Sequence, residues 1–163
     1  MFRRYALQSA LALAAAAALA GCASTGSAPA TLDSTIAKTP SLSTFNKLAV
    51  QAGLADTLKA AAPHTVFAPS DDAFKAVPAK TLADLQANPA QLKEVLTYHI
   101  VAGSMKAEQV KNGNAKTLNG ANVALSRAGS FVTVEEAMVE KADIVATNGV
   151  VHVVDRVLMP PKK

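Results

Sequence analysis

Histidine, cysteine and paired acidic residues are the side chains of this chain with the most capacity for chemistry. No H-E-x-x-H or C-x-x-C spacing is present, and no G-x-S-x-G, Walker A or G-x-G-x-x-G motif. Neighbouring acids point in different directions on regular structure and so do not by themselves form a catalytic pair. We therefore expect no catalytic residue, no metal site, no cofactor and no enzymatic activity. The residues concerned are His64, His99, His152, Cys22, Asp71-Asp72 and Glu135-Glu136.

The N-terminal residues 1–21 have the pattern of a signal peptide. Arg3 and Arg4 precede an apolar run at 10–20, which is shorter than the roughly 18 residues that span a bilayer. Leu19-Ala20-Gly21-Cys22 resembles a bacterial lipobox, which implies cleavage before Cys22 and lipidation of its thiol. An ordinary secretory signal is the alternative, although Cys22 is the only cysteine. Because Ala23 rather than Asp follows it, we expect an exported, lipid-anchored protein of the outer membrane, facing the periplasm or the cell surface.

The remaining chain is long enough for one domain. Residues 22–31 are small and polar, which predicts a lipidated cysteine followed by a flexible tether. We expect the folded domain to span residues 32–160 and a short basic tail to follow at 161–163. The net charge of +4 falls by half once Arg3 and Arg4 are removed, and the chain has no tryptophan and no basic stripe. Nucleic-acid binding is therefore not expected. A single cysteine also excludes an intramolecular disulfide.

Helices are predicted in the first half of the domain and strands in the second. Apolar residues recur at helical spacing between 32 and 58, with breaks at Pro40 and Gly53. Further helices are predicted at 81–87 and from an N-cap at Asn88 to Tyr98. Short strands follow, so the order is that of an α+β protein. The predicted strands are 116–118, 122–126, 131–134, 138–140, 144–147 and 150–158, with a helical turn at 107–111.

Two sequence blocks predict particular local structures. Thr65 to Phe74 reads as a strand that contains Phe67 and ends at Pro69, then an N-cap at Ser70, with Asp71 in the first helical turn and Phe74 directed to the core. In the later block, Asn148-Gly149 predicts a type I′ hairpin turn. His152 then lies in an apolar run and is expected to be a hydrogen-bonded core residue, with Asp155 shortly after it.

These blocks, with Tyr98-His99 between them, resemble the fasciclin-type domain in order and spacing. The family pattern is T-V-F-A-P-T/S-D/N-x-A-F, then Y-H, then N-G-V-x-H-x-I/V-D-x-V-L-x-P. The resemblance covers about residues 32–160. It implies an α+β fold in which N-terminal helices pack on a wedge-like β-sandwich of short strands. It also implies an adhesion module that binds an envelope or extracellular protein or polysaccharide, with a membrane contact only through the lipid anchor.

The resemblance singles out Tyr98-His99 and Asp143-Ile144 as candidate interaction residues, because these regions of the family are associated with adhesion. A purely structural role is the alternative that we favour. His99 would bond a backbone group or an acid near Ser70-Asp71, and Asp143-Ile144 would start a strand with an exposed acid and a buried isoleucine. Partner contacts are then expected on the turn-rich segments, which are Lys111 to Asn114, Asn119 to Asn122 and Arg127 to Ser130.

A second function class remains open at this point. The space between helices and sheet could hold a small apolar ligand, which would make the protein a periplasmic carrier or sensor. A closed apolar pocket of a few hundred Å³ would favour this alternative over the adhesion module.

Overall fold

The computed structural model describes residues 30–161, so the predicted signal peptide, Cys22 and Lys162-Lys163 lie outside the described residues. None of the described helices is long and apolar enough to cross a membrane. The helices are α1 (Leu32–Lys38), α2 (Ser43–Gln51), α3 (Ala55–Lys59), α4 (Asp71–Ala76), α5 (Ala79–Ala87) and α6 (Pro89–Tyr98), with 3-10 turns at Pro40–Leu42 and Ala107–Gln109. The strands are β1 (His64–Pro69), β2 (Ile100–Ala102), β3 (Gly113–Lys116), β4 (Asn122–Ala128), β5 (Phe131–Val134), β6 (Ala137–Ala146) and β7 (Gly149–Val154).

The seven strands form one mixed sheet in the order β2-β1-β7-β6-β5-β4-β3. Only β1 and β7 run parallel, and the other neighbours are antiparallel. The long strand β6 pairs with β5 through its first residues and with β7 along the rest, with register shifts between them. An isolated bridge between Val101 of β2 and Thr117, the residue after β3, brings the two edge strands of the sheet together. The sheet therefore folds back on itself, as the predicted sandwich requires.

Two apolar clusters fill the domain. One joins the inner faces of the N-terminal helices to β1 and β7, and includes Phe45 and Val151. The other lies between the two halves of the sheet and includes Phe67, Tyr98 and Val123. Strands β1 and β7 are buried along their whole length because both clusters pack against them. The predicted α+β fold with helices preceding strands is confirmed.

The first sequence block folds as predicted. Strand β1 ends at Pro69, and the hydroxyl oxygen of Ser70 accepts a hydrogen bond from the N–H of Ala73 at 3.2 Å. Asp71 lies in the first turn of α4, and Phe74 is buried. The predicted helix over 81–87 is also present, within α5.

Other local predictions were wrong in position or detail. Asn88 occupies the N-cap position of α6 with Pro89 directly after it, as predicted, but its side chain makes no capping hydrogen bond, because its amide donates to the carbonyl of Asp84 in the preceding helix. The hairpin turn is centred on Thr147-Asn148 rather than Asn148-Gly149, since Ala146 pairs with Gly149. It is not a type I′ turn, because neither central residue has a positive φ. The predicted strands 138–140 and 144–147 are one strand, β6, and β7 ends at Val154 rather than at 158. Strand β3 overlaps the predicted 116–118 only at Lys116, its last residue.

Candidate functional site

Tyr98 ends α6 and points between the two halves of the sheet. It is 1% exposed, and its hydroxyl lies 3.1 Å from the carbonyl oxygen of Asn122 and forms a hydrogen bond with the carboxylate of Glu135. Burial and the neighbouring Glu135 carboxylate both raise the pKa of the Tyr98 phenol. The Tyr98 side chain therefore holds α6 against β4 and the β5–β6 turn. Because it is almost fully buried, it offers very little area to a binding partner.

His99 is fully buried at the junction of α6 and β2. Its Nδ1 donates to the carbonyl of Val95 at 2.8 Å, and its Nε2 accepts from the N–H of Leu158 at 2.9 Å. Burial lowers the pKa of His99 to about 4, although the bond to Val95 opposes the shift. Both ring nitrogens thus bond backbone groups. The alternative prediction, that His99 bonds an acid near Ser70-Asp71, was wrong.

His152 lies in β7 and packs against Phe67 of β1, with ring centroids 5.4 Å apart and planes at 22°. Its Nε2 donates to the carbonyl of Met105 at 2.9 Å, and its Nδ1 accepts from the N–H of Asp143 at 3.2 Å. Burial lowers the pKa of His152, while the Met105 carbonyl and the Asp143 carboxylate act in the other direction. The predicted hydrogen-bonded core histidine is confirmed.

Asp143 does not start a strand. It lies inside β6 at a register shift, with φ of 58°, and it is exposed. Its carboxylate accepts a hydrogen bond from the N–H of Ala107 at 2.8 Å. Ile144 is only partly buried and packs against the helix-side cluster. The predicted strand start with a buried isoleucine was therefore wrong, because β6 continues through this point as a bulged strand.

Two other motif residues tie separate segments together. The hydroxyl of Thr65 donates to the carbonyl of Gly103 at 2.6 Å and accepts from the N–H of Met105 at 2.8 Å. The carboxylate of Asp71 accepts from the Ser43 hydroxyl at 2.7 Å and the Thr44 N–H at 2.8 Å, at the start of α2. Slight burial raises the pKa of Asp71, but these hydrogen bonds outweigh it and hold the pKa below its ordinary value.

The closing block connects the strands to the N-terminal helices. Asn148 accepts from the N–H of Leu32 at 2.8 Å and donates to the carbonyls of Leu58 and Ala60 at 2.8 and 2.7 Å. A Cβ on Gly149 would lie 2.0 Å from the carbonyl oxygen of His64, so only glycine fits there.

Asp155 links the end of β7 to β6. Its carboxylate accepts from the N–H of Met138 at 2.7 Å, and its own N–H donates to the Met138 carbonyl at 3.0 Å. The motif residue thus fixes the register of the two strands at the point where β6 also pairs with β5.

Two of the three predicted contact segments come together at one end of the sheet. The side-chain oxygen of Asn112 accepts from the N–H of Arg127 at 2.6 Å, and the Arg127 guanidinium donates to the carbonyls of Gly129 and Glu108. Beside them is a shallow cavity of about 220 Å³, to which Met105, Gln109 and Leu125 also contribute. Sequence reasoning missed these three, because no local pattern places them beside Asn112.

The third segment lies elsewhere. The side-chain amide of Asn119 donates to the carbonyl of Glu94 at 2.9 Å, which places this turn against α6. There it borders a half-open groove of about 700 Å³ between α5, α6 and the C-terminal residues 159–161. Residues 30–161 contain no group of three or more His, Cys, Asp or Glu that could hold a metal ion.

Comparison with known proteins matches the Fasciclin domain to residues 40–160, which is most of the chain. The chain belongs to the fasciclin family. Protein sll1483 of Synechocystis is 43% identical over 112 residues, covering 68% of this chain and 62% of that protein. Cell surface glycolipoprotein MPB83 of Mycobacterium bovis is 35% identical over 127 residues, covering 75% and 57%. The fasciclin chain thus spans less than two thirds of the length of these relatives.

The fold of this fasciclin domain matches a solved structure of the same family. That structure is a FAS1 domain pair from the insect cell adhesion molecule fasciclin I, with a TM-score of 0.64 and 17% identity, covering 80% of this chain and 51% of that one. In the present domain the residues of the family blocks described above are buried or hydrogen-bonded to other segments.

Proposed function

We propose that this fasciclin domain is an adhesion module, tethered to the bacterial envelope, that binds an envelope or extracellular protein or polysaccharide through its turns. The observation that carries the proposal is the contact between Lys111–Asn114 and Arg127–Ser130 at one end of the sheet. Loops held by a rigid scaffold are common binding sites. Relatives with surface or adhesion names support the same class of function.

The tether is part of the proposal. The Leu19-Ala20-Gly21-Cys22 sequence fits lipidation of Cys22, and one relative is named a cell surface glycolipoprotein. Intact mass of the protein purified from its host should show an acylated Cys22 as the first residue. The Cys22→Ser variant should leave the membrane fraction or remain uncut. An unmodified cysteine, or cleavage at another bond, would contradict the anchor without affecting the proposed binding.

The binding proposal is tested by capture from envelope extract. A soluble form that spans residues 32–163 is immobilised, and retained proteins and polysaccharides are identified. We expect a saturable partner whose retention falls when the turns at Lys111 and Arg127 are altered and not when the exposed Lys80 of α5 is changed. Retention that is indifferent to both turns would place recognition elsewhere on the domain.

A small apolar ligand is the second candidate, and the groove beside α6 is the observation that favours it. Leu85, Val95, Ala121 and Met159 give this groove apolar walls, while Gln91, Glu94 and Asn119 add polar groups at its edge. It is half-open, so it is not the closed apolar pocket that would favour a carrier over the adhesion module. Titration with a fluorescent fatty acid distinguishes the two functions: saturable one-to-one binding that Leu85→Gln abolishes would favour the carrier.

A further inference from the structure

The shallow cavity near the end of β3 has an apolar floor and a polar rim. Met105 and Leu125 supply the floor, and Gln109, Lys111, Asn112 and Asn114 supply the rim. At about 220 Å³ it has room for one ring-sized group and not for a folded peptide segment. An apolar floor with a few placed polar groups is the general composition of a small-ligand site.

The rim presents hydrogen-bond donors. The side-chain oxygen of Gln109 already accepts from the N–H of Lys106 at 3.1 Å, and that of Asn112 from the N–H of Arg127 at 2.6 Å. These bonds fix both side chains and leave their NH₂ groups without a partner among residues 30–161. Asn114 is exposed on β3 and carries a further amide. The site is thus prepared for a ligand rich in acceptor oxygens.

The charge at the cavity is positive and is not neutralised by an acidic side chain. Neither Lys111 nor Arg127 forms an ion pair within the described part of the chain. Lys111 is the one charged residue among those that line the cavity, and no acidic residue lines it. An anionic ligand is therefore favoured over a neutral one.

We propose that this cavity binds one residue of an anionic polysaccharide, with the sugar ring on Met105 and Leu125, its oxygens on the amides, and its acidic group near Lys111. The inference rests on the proposed adhesive function and names its ligand class. A sugar is favoured over an acidic peptide because the amides surround a ring-sized floor, whereas an extended peptide would need a continuous groove or a free strand edge.

The test uses the full chain, purified from its host in neutral detergent, and isothermal titration with oligogalacturonate at low salt. Lys111→Gln should weaken binding about tenfold, as expected for loss of a charge-assisted hydrogen bond. Asn114→Ala should weaken it by a smaller factor. Lys116→Gln is the matched control, because Lys116 is an exposed lysine at the end of β3 that does not line the cavity. Its affinity should stay within about twofold of the parent, since a lysine outside the cavity makes no direct contact with the bound sugar.

Three outcomes would overturn the inference. The first is no saturable binding of oligogalacturonate. The second is an equal loss in Lys116→Gln and Lys111→Gln, which would indicate general attraction to a basic surface. The third is equally tight binding of poly-L-glutamate, which would show that a sugar is not required, or of neutral dextran, which would show that the negative charge is not required. If any of these outcomes is found while capture from envelope extract is retained, this site is refuted and the adhesive function stands.

Discussion

Leu158 donates its backbone N–H to Nε2 of His99 over 2.9 Å, although 59 residues separate them in sequence. The bond requires a neutral imidazole, because a protonated Nε2 has no lone pair to accept it. The other ring nitrogen is bonded to Val95 within α6. One uncharged histidine therefore connects the helix to the segment that follows the last strand.

Acid should destabilise the domain through this contact. Burial lowers the pKa of His99 from 6.5 to about 4, so between these values the unfolded chain binds a proton that the folded chain does not. Stability is then lost as the pH falls from 6.5 to about 4, by roughly 3 kcal/mol from His99 alone. His152 has a lowered pKa too and adds in the same direction. Asp71 acts only at still lower pH, since its pKa lies below 3.8.

Urea unfolding at several pH values between 7 and 4 measures this dependence. His99→Gln should be less stable at neutral pH but should show a flatter dependence in this window, with a residual slope from His152. An unchanged slope in His99→Gln would contradict the assignment of the acid sensitivity to His99.

Phe67→Ala should cost about 3–5 kcal/mol, the usual range for removal of a fully buried phenylalanine. Phe67 has no solvent exposure and stacks on His152 between the halves of the sheet. Phe131→Ala is the matched control, because Phe131 is 64% exposed, and it should change stability by less than about 1 kcal/mol. Similar losses in the two variants, measured by chemical unfolding, would mean that burial does not control the effect.

Gly149→Ala should destabilise the domain by about 4 kcal/mol or more, the level of severe packing defects. The added Cβ would meet the His64 carbonyl oxygen at 2.0 Å, and both residues belong to central strands that cannot move apart cheaply. Gly120→Ala serves as control, since Gly120 also has a positive φ but open space around its Cβ position. It should cost only about 1–2 kcal/mol of backbone strain, as seen in thermal melts. A Gly149 variant that melts like the Gly120 variant would rule out the clash.

Asp143→Ala should lose about 2 kcal/mol, from the bond to Ala107 and from a left-handed backbone that alanine adopts poorly. Asp143→Asn keeps an acceptor and tolerates that conformation, so it should lose about 1 kcal/mol or less. We predict that Asp143→Ala and His99→Ala lower stability at least as much as they lower partner affinity. If either abolishes binding with an unchanged melting temperature, that residue is a recognition site and not only a structural one.

Sequence reasoning was most successful where the determinants are local. Pro69 ending β1, Ser70 capping α4 and the burial of Phe74 depend on residues within one or two turns of each other. The turn at Asn148 was misplaced by one residue because its geometry is set by distant partners. Asn148 bonds Leu32, Leu58 and Ala60, and these contacts outweigh the local preference of an Asn-Gly pair.

By itself the sequence determined the family, the order of helices before strands and the inward role of the main motif residues, since hydrophobic periodicity, turn chemistry and motif spacing are written along the chain. Only the tertiary structure decided which exposed groups meet. The contact of Asn112 with Arg127, the bulge at Asp143 and the bond from Leu158 to His99 join segments far apart in sequence. Their pairing depends on how the sheet folds back and packs against the helices, a collective property that no local pattern encodes.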